Sequence, residues 1–255
     1  MSSSVDCGKV GKGRNATARN EEEPYAPTCI PTLVEYLPHQ LLSQSRETMT
    51  TATELANFSA QQRLEAKSRS YGNIEGLTKS DGSVRHKCFL SYHHTDAVEV
   101  EAYVNSFEPV FIPKVIGITD YGDVIQSQSD DYIMDIIREK YLTDSTVSIV
   151  FIGKFTYSRK YIDWEVLSSL RNDVRNRRSG LVAVELPSVK GVGRLPKRVL
   201  LNTGVKNSGR YARYWAYPTS TSVAQFQIQD AFDARLERAE WIELGGPKQA
   251  ENSLS

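Results

Sequence analysis

Thr146-Val-Ser-Ile-Val-Phe-Ile-Gly153 is the stretch whose reading decides the fold. A short unbroken apolar run rich in β-branched residues and closed by glycine suits a strand buried on both faces. Downstream, from Ser158 or Arg159 to about Arg178, Ile162, Val166, Leu167, Leu170 and Val174 recur at helical spacing. Gly180-Leu-Val-Ala-Val-Glu-Leu186 is a further strand, closed by Pro187. Upstream, His86-Lys-Cys-Phe-Leu-Ser-Tyr92 reads as a short buried strand, and Thr95 to Phe107 as a helix. Val110-Phe-Ile112 is a brief second strand. Ser129 caps a helix whose first turn carries Asp130 and Asp131, with Ile133, Ile136, Ile137 and Tyr141 on one stripe. Tyr211 to Tyr217 supplies a fifth strand, and Val223 to Ala239 a last helix.

Strands alternating with helices imply an α/β fold with a parallel sheet covered on both faces. Five short strands in about 150 residues fit a flavodoxin-like order better than a barrel, which asks for eight. In such sheets ligands sit at the carboxyl ends of the strands. The informative residues should therefore follow Leu90, Ile112, Ile152 and Leu186.

Composition narrows the search. The chain has 31 Lys and Arg against 31 Asp and Glu, a net charge of zero that argues against a grip on nucleic acid or an anionic membrane. Residues 1–83 hold only four aromatics, Tyr25, Tyr36, Phe58 and Tyr71, where an even share is roughly eight. This region reads as an extension: a disordered arm over 1–31, helical stretches from Thr32 to about Lys67, and a polar linker from Ser68 to Ser83. The domain proper is expected over 84–240, with a flexible tail over 241–255. Cys7, Cys29 and Cys88 form no disulfide framework, and Cys88 reads as a buried small hydrophobe. The amino terminus lacks the apolar core of a secretory signal, and no run approaches the ~18 residues of a membrane helix. A cytoplasmic protein is expected.

Two stretches at the expected sheet edge carry chemistry. Ser91-Tyr-His-His-Thr-Asp96 follows the first strand. Its adjacent histidines diverge and lack a third ligand at suitable spacing, so no metal site is expected. No glycine lies between Lys87 and Ile116, which disfavours a flavin or dinucleotide phosphate loop. After the third strand comes Gly153-Lys-Phe-Thr-Tyr-Ser-Arg-Lys-Tyr-Ile-Asp-Trp-Glu165. On a helical wheel Trp164 and Glu165 point well away from the apolar stripe, so an exposed indole beside a carboxylate marks a pocket candidate. Asp163 falls nearer the apolar side and suits a structural hydrogen bond. Arg159 and Lys160 suit either phosphates or solvent.

These residues carry a resemblance. Phe89-Leu-Ser-Tyr-His-His-Thr-Asp96 is similar to the F-[IL]-S-Y opening of TIR domains. Asp144-Ser-Thr-Val-Ser-Ile-Val-Phe-Ile-Gly153, with Thr156, Arg159-Lys160 and Asp163-Trp-Glu165, resembles the TIR-like domain of ThsB proteins of the Thoeris anti-phage system. Asp131-Tyr-Ile, Ile137-Arg138 and Tyr211-Ala-Arg-Tyr-Trp-Ala-Tyr-Pro218 extend the likeness over about Arg85 to Arg238; residues 1–83 lie outside it.

The resemblance implies NAD+ chemistry: cleavage of the nicotinamide–ribose bond and formation of a cyclic ADP-ribose-type messenger. NAD+ is then a substrate, with no tightly bound cofactor and no metal. Glu165 takes the place of the family's catalytic glutamate. Tyr92, His93, His94 and Trp164 take the places of substrate contacts. The implied partners are a ThsA-like NAD-depleting effector reached through the messenger, a phage-derived trigger, and further copies of the chain. Two other readings stand beside it. One is a non-catalytic TIR scaffold signalling by self-assembly. The other is a deoxyribosyltransferase-like enzyme with a glutamate nucleophile.

Overall fold

A computed structural model describes residues 51–71, 84–116, 132, 135, 137–173, 177–204 and 210–253. They fall within one compact unit, residues 46–255. The arm expected over 1–31, most of the linker, and the helix start at Ser129 with Asp130 and Asp131 lie outside the described residues.

Five strands form one parallel sheet: β1 (His86–Ser91), β2 (Phe111–Lys114), β3 (Val147–Ile152), β4 (Gly180–Glu185) and β5 (Arg213–Trp215). Their order is β2-β1-β3-β4-β5, the flavodoxin-like arrangement expected from the alternation. β3 and β4 are buried at every residue, as strands covered on both faces must be. Pro113 is accommodated because β2 is an edge strand, where a missing amide donor goes unnoticed.

The helices are α1 (Ala52–Ser70), α2 (Ala97–Phe107), α3 (Lys160–Leu170), α4 (Lys197–Thr203) and α5 (Thr221–Glu237). One face of the sheet packs on α1, α2 and α5 through a cluster including Leu64, Val100, Tyr103, Phe111, Phe151 and Ile228. The other packs on α3 and α4 through Val150, Ile152, Ile162, Val166, Leu170, Val199 and Tyr211. Gly180 shows how tightly α5 seats: a Cβ there would lie 1.9 Å from the Ala231 carbonyl oxygen. Among the described residues no helix is long and apolar enough to cross a membrane.

Four expectations need correcting. In the described part of the extension, residues 51–71, the helical stretches form one helix, α1, opened by a capping box in which the Thr51 hydroxyl accepts from Glu54 N–H and the Glu54 carboxylate accepts from Thr51 N–H. It belongs to the domain rather than preceding it: Leu64 is in the main core, and Asn57 Oδ1 accepts from the Val98 amide. α3 ends at Leu170, not near Arg178, because Arg171 turns to an extended conformation. α4 escaped the sequence reading, being only two turns long and following Pro196 directly. Finally, the tail from 241 is not free. Gln249, Asn252 and Ser253 bond to α3 and the turn before it, and Glu243 is held by Asn202.

Candidate functional site

β1 pairs with β2 on one side and β3 on the other, so the strand order reverses between β1 and β3. The carboxyl ends of these two strands bound the crevice where such sheets hold ligands. β1 ends on Ser91. After β3, the chain passes through a short turn, Thr156–Ser158, and enters α3.

That turn is pinned by Thr156, whose hydroxyl accepts from the Gly153 amide and donates to the Phe151 carbonyl. It aims α3 so that Glu165 reaches the end of β1. The Ser91 hydroxyl donates to Glu165 Oε2 at 2.5 Å, and both residues are buried, at 1% and 2% exposure. A carboxylate taken from water this completely persists only when hydrogen-bonded, and a hydroxyl–carboxylate bond of this length is of the strong, charge-assisted kind.

The wheel argument placed Trp164 and Glu165 on an outward face, and here the structure differs. Every residue from Ile162 to Leu170 is buried. α3 packs on the sheet, where Phe89 of β1 meets Trp164, and is further covered by Ile116, Leu142 and the carboxyl-terminal segment. Trp164 is wholly enclosed: its indole N–H donates to the Gln249 carbonyl at 2.7 Å, Tyr161 packs edge-on, and the Lys160 and Lys248 ammonium groups lie over the ring. No ring face is left for stacking on a substrate, so the tryptophan anchors the helix. Asp163 beside it has the structural role expected. It forms a bidentate buried pair with Arg198, at 2.9 and 3.1 Å, and accepts from the Gln249 amide.

The other expected site residues do gather at the end of β1. His93 is buried and its Nδ1 lies 2.7 Å from the Thr95 hydroxyl while also accepting from the Thr95 amide. Burial, followed by the nearby charges of His94 and Arg159, pushes its pKa down to about 3, so the ring is neutral near pH 7. The His94 ring packs against it in a tilted arrangement, centroids 4.1 Å apart, and is itself exposed at the surface. The Tyr92 hydroxyl is buried and makes no hydrogen bond. Burial raises its pKa above the ordinary phenol range, helped by the negative charges of Glu65 and Glu165.

Three features were missed from sequence. Asp96 is buried, with its carboxyl seated over Gly153: a Cβ on that glycine would fall 2.1 Å from Asp96 Oδ2. Burial and the charge of Glu99 push Asp96 up to about 6, against hydrogen bonds from Thr156 and Thr95 that pull it down. The pairing of Asp96 with Gly153 across 57 positions leaves no local pattern to read. Glu65, buried on α1, brings a second carboxylate whose charge reaches the Tyr92 phenol. Its only sequence signal was a place on a polar amphipathic helix. The carboxyl-terminal strap likewise has no periodicity. Among the described residues no three His, Cys, Asp or Glu side chains are grouped to hold a metal ion.

A doubly wound 2-1-3-4-5 sheet with polar groups gathered where the order reverses defines a flavodoxin-like α/β domain. The family is narrower. Residues 89–191 match the family model described as Thoeris protein ThsB, TIR-like domain. The match takes in Ser91, Tyr92, His93, His94, Asp96, Gly153, Trp164 and Glu165, and leaves out α1 and the carboxyl-terminal strap. No curated protein matches the chain significantly.

Proposed function

We propose that the domain is an NAD+-processing enzyme that cleaves the nicotinamide–ribose bond, with Glu165 as the reacting carboxylate. The observation that carries this reading is the Ser91–Glu165 hydrogen bond at the switch point. Heterolysis of that bond leaves an oxocarbenium-like ribose and releases nicotinamide as a neutral base, so a strong general acid is not required. A fixed carboxylate in a poorly solvated site stabilises the developing cation, as in glycoside hydrolysis. Tyr92, His93 and His94 form the polar lip that meets the dinucleotide; Trp164 steadies the helix from behind. Exclusion of water then favours attack by an adenosine atom, giving a cyclic ADP-ribose-type messenger for an NAD-depleting effector. Glu165 is 2% exposed, so substrate reaches it only after a movement that uncovers the carboxylate, which suits a phage-derived trigger acting in the cytoplasm.

The same burial favours one competing reading, a scaffold that signals by self-assembly without chemistry. Incubating NAD+ with the full chain, with and without lysate of infected cells, separates the two. Nicotinamide release that disappears in Glu165→Gln supports the enzyme. Defence that survives Glu165→Gln, with no nicotinamide released by the parent protein, supports the scaffold.

A further inference from the structure

A second feature lies apart from the end of β1. A cleft of about 480 Å³ runs between α3 and the strap, lined by Asp135, Arg138, Leu167, Arg171 and the 244–248 turn, which includes Lys248. Its volume falls in the range of small-molecule sites. None of the residues at the end of β1 contributes to it.

The lining is cationic. Among the described lining residues, Arg138, Arg171 and Lys248 face one carboxylate, Asp135. The Arg138 side chain is only 12% exposed, yet its ion pair with the half-exposed Asp135 is a loose 3.7 Å contact. Its Nε and Nη2 are buried and make no hydrogen bond. A guanidinium keeps its charge under any physiological condition, and a buried N–H without an acceptor is costly, so such a group calls for an anion. The planar fork matches the oxygens of a phosphate in a bidentate manner. The opposing wall helps. Gly245 has φ +68°, a conformation that side chains rarely adopt, and a Cβ on Gly246 would meet nothing within 4 Å, so the turn presents bare backbone. Leu167 supplies an apolar floor.

We propose that this cleft binds a phosphorylated small molecule, at a site separate from Glu165. Arg138 turns its fork outward onto the phosphate, and Arg171 and Lys248 complete the charge. The inference does not depend on the NAD+ reading.

Isothermal titration of the full chain with inorganic pyrophosphate tests it. One saturable site is expected, weakened about tenfold or more in both Arg138→Gln and Arg171→Gln. Glu165→Gln and the exposed Lys190→Gln should bind like the parent protein. Because Lys248 lies 4.8 Å from the Trp164 ring, binding should also change the tryptophan emission, and Trp164→Phe should remove that change. Arg171 is exposed, so its variant folds even where Arg138→Gln does not. The proposal is overturned by an absence of saturable binding, or by unchanged affinity in Arg171→Gln. An equal loss in Lys190→Gln, which marks general charge attraction, overturns it too, as does loss of binding in Glu165→Gln, which places the anion at the other site.

Discussion

The Ser91 hydroxyl lies 2.5 Å from Glu165 Oε2 and ties the end of the first strand to the helix that follows the third. Removing the donor leaves a buried carboxylate short of one partner, which costs about 1–3 kcal/mol. Ser91→Ala should therefore unfold at lower urea, and on the NAD+ reading its kcat should fall more than its KM rises. A variant with parental stability and parental turnover would show that the contact does neither job.

Gly153 and Asp96 occupy one space. Gly153→Ala places a methyl 2.1 Å from Asp96 Oδ2, and the carboxyl is buried, so it has nowhere to retreat. Severe loss of thermal stability is expected. Asp96→Ala in the same chain should recover much of it, because the methyl then fills the vacated volume; a double-mutant cycle measures the coupling. Additive effects of the two changes would contradict the packing described here.

Asp96 and His93 give stability opposite dependences on pH. Asp96 titrates at about 6 when folded, above its ordinary 3.8, so the folded chain holds that proton more tightly. The stabilisation is complete below about pH 3.8 and is lost as pH rises through 6. Asp96→Asn should then be more stable than the parent at pH 7.5, by about 3 kcal/mol at most, and close to it at pH 4. His93 titrates at about 3 when folded, below 6.5, so its contribution is present above 6.5 and is lost as pH falls toward 3. His93→Asn should flatten that acid limb. Melting temperatures of the three proteins between pH 3.5 and 8 check both signs.

The strap supports α3 through Asp163 and Trp164. Arg198→Met leaves the Asp163 carboxylate buried opposite a thioether, which costs about 3–5 kcal/mol. Truncation after Gly245 removes the Gln249 carbonyl that accepts from the indole and uncovers the ring. Tryptophan emission should move to longer wavelength, and the shift should vanish when Trp164 is replaced by Phe. Unchanged emission on truncation would mean that the strap does not cover Trp164 in solution.

α1 lies outside the family match but inside the core. Leu64 is 1% exposed, and its truncation to Ala should cost about 2–5 kcal/mol. A chemical melt of Leu64→Ala, set beside Arg63→Ala on the exposed side of the same helix, shows the difference. Arg63 makes a surface pair with Glu101, and its loss should barely move the melt.

How far the sequence could be read depends on the range of the force involved. Strand and helix identity came from periodicity within one element. So β1, β3, β4 and α5 were legible, and with them the parallel order of the sheet. The short α4 and the early end of α3 were not, because seven or eight residues carry too little pattern. The position of Glu165 after β3 was legible through its motif. Its burial was not, since a wheel knows only one element and assigns Trp164 to water. The enclosure of that indole comes from Phe89, Ile116 and Gln249, which are distant in the chain.

The sequence by itself determined the doubly wound fold, the family likeness over residues 89–191, and the carboxylate at the sheet's carboxyl edge, because hydrophobic pattern and motif spacing are local properties. Only the tertiary structure decided that Ser91 holds Glu165, that Asp96 fills the space above Gly153, and that α1 and the strap are integral to the domain. It also decided that Arg138 lines a cleft with buried nitrogens that make no hydrogen bond. These are contacts between residues far apart along the chain, and their energies depend on burial that no single segment can express.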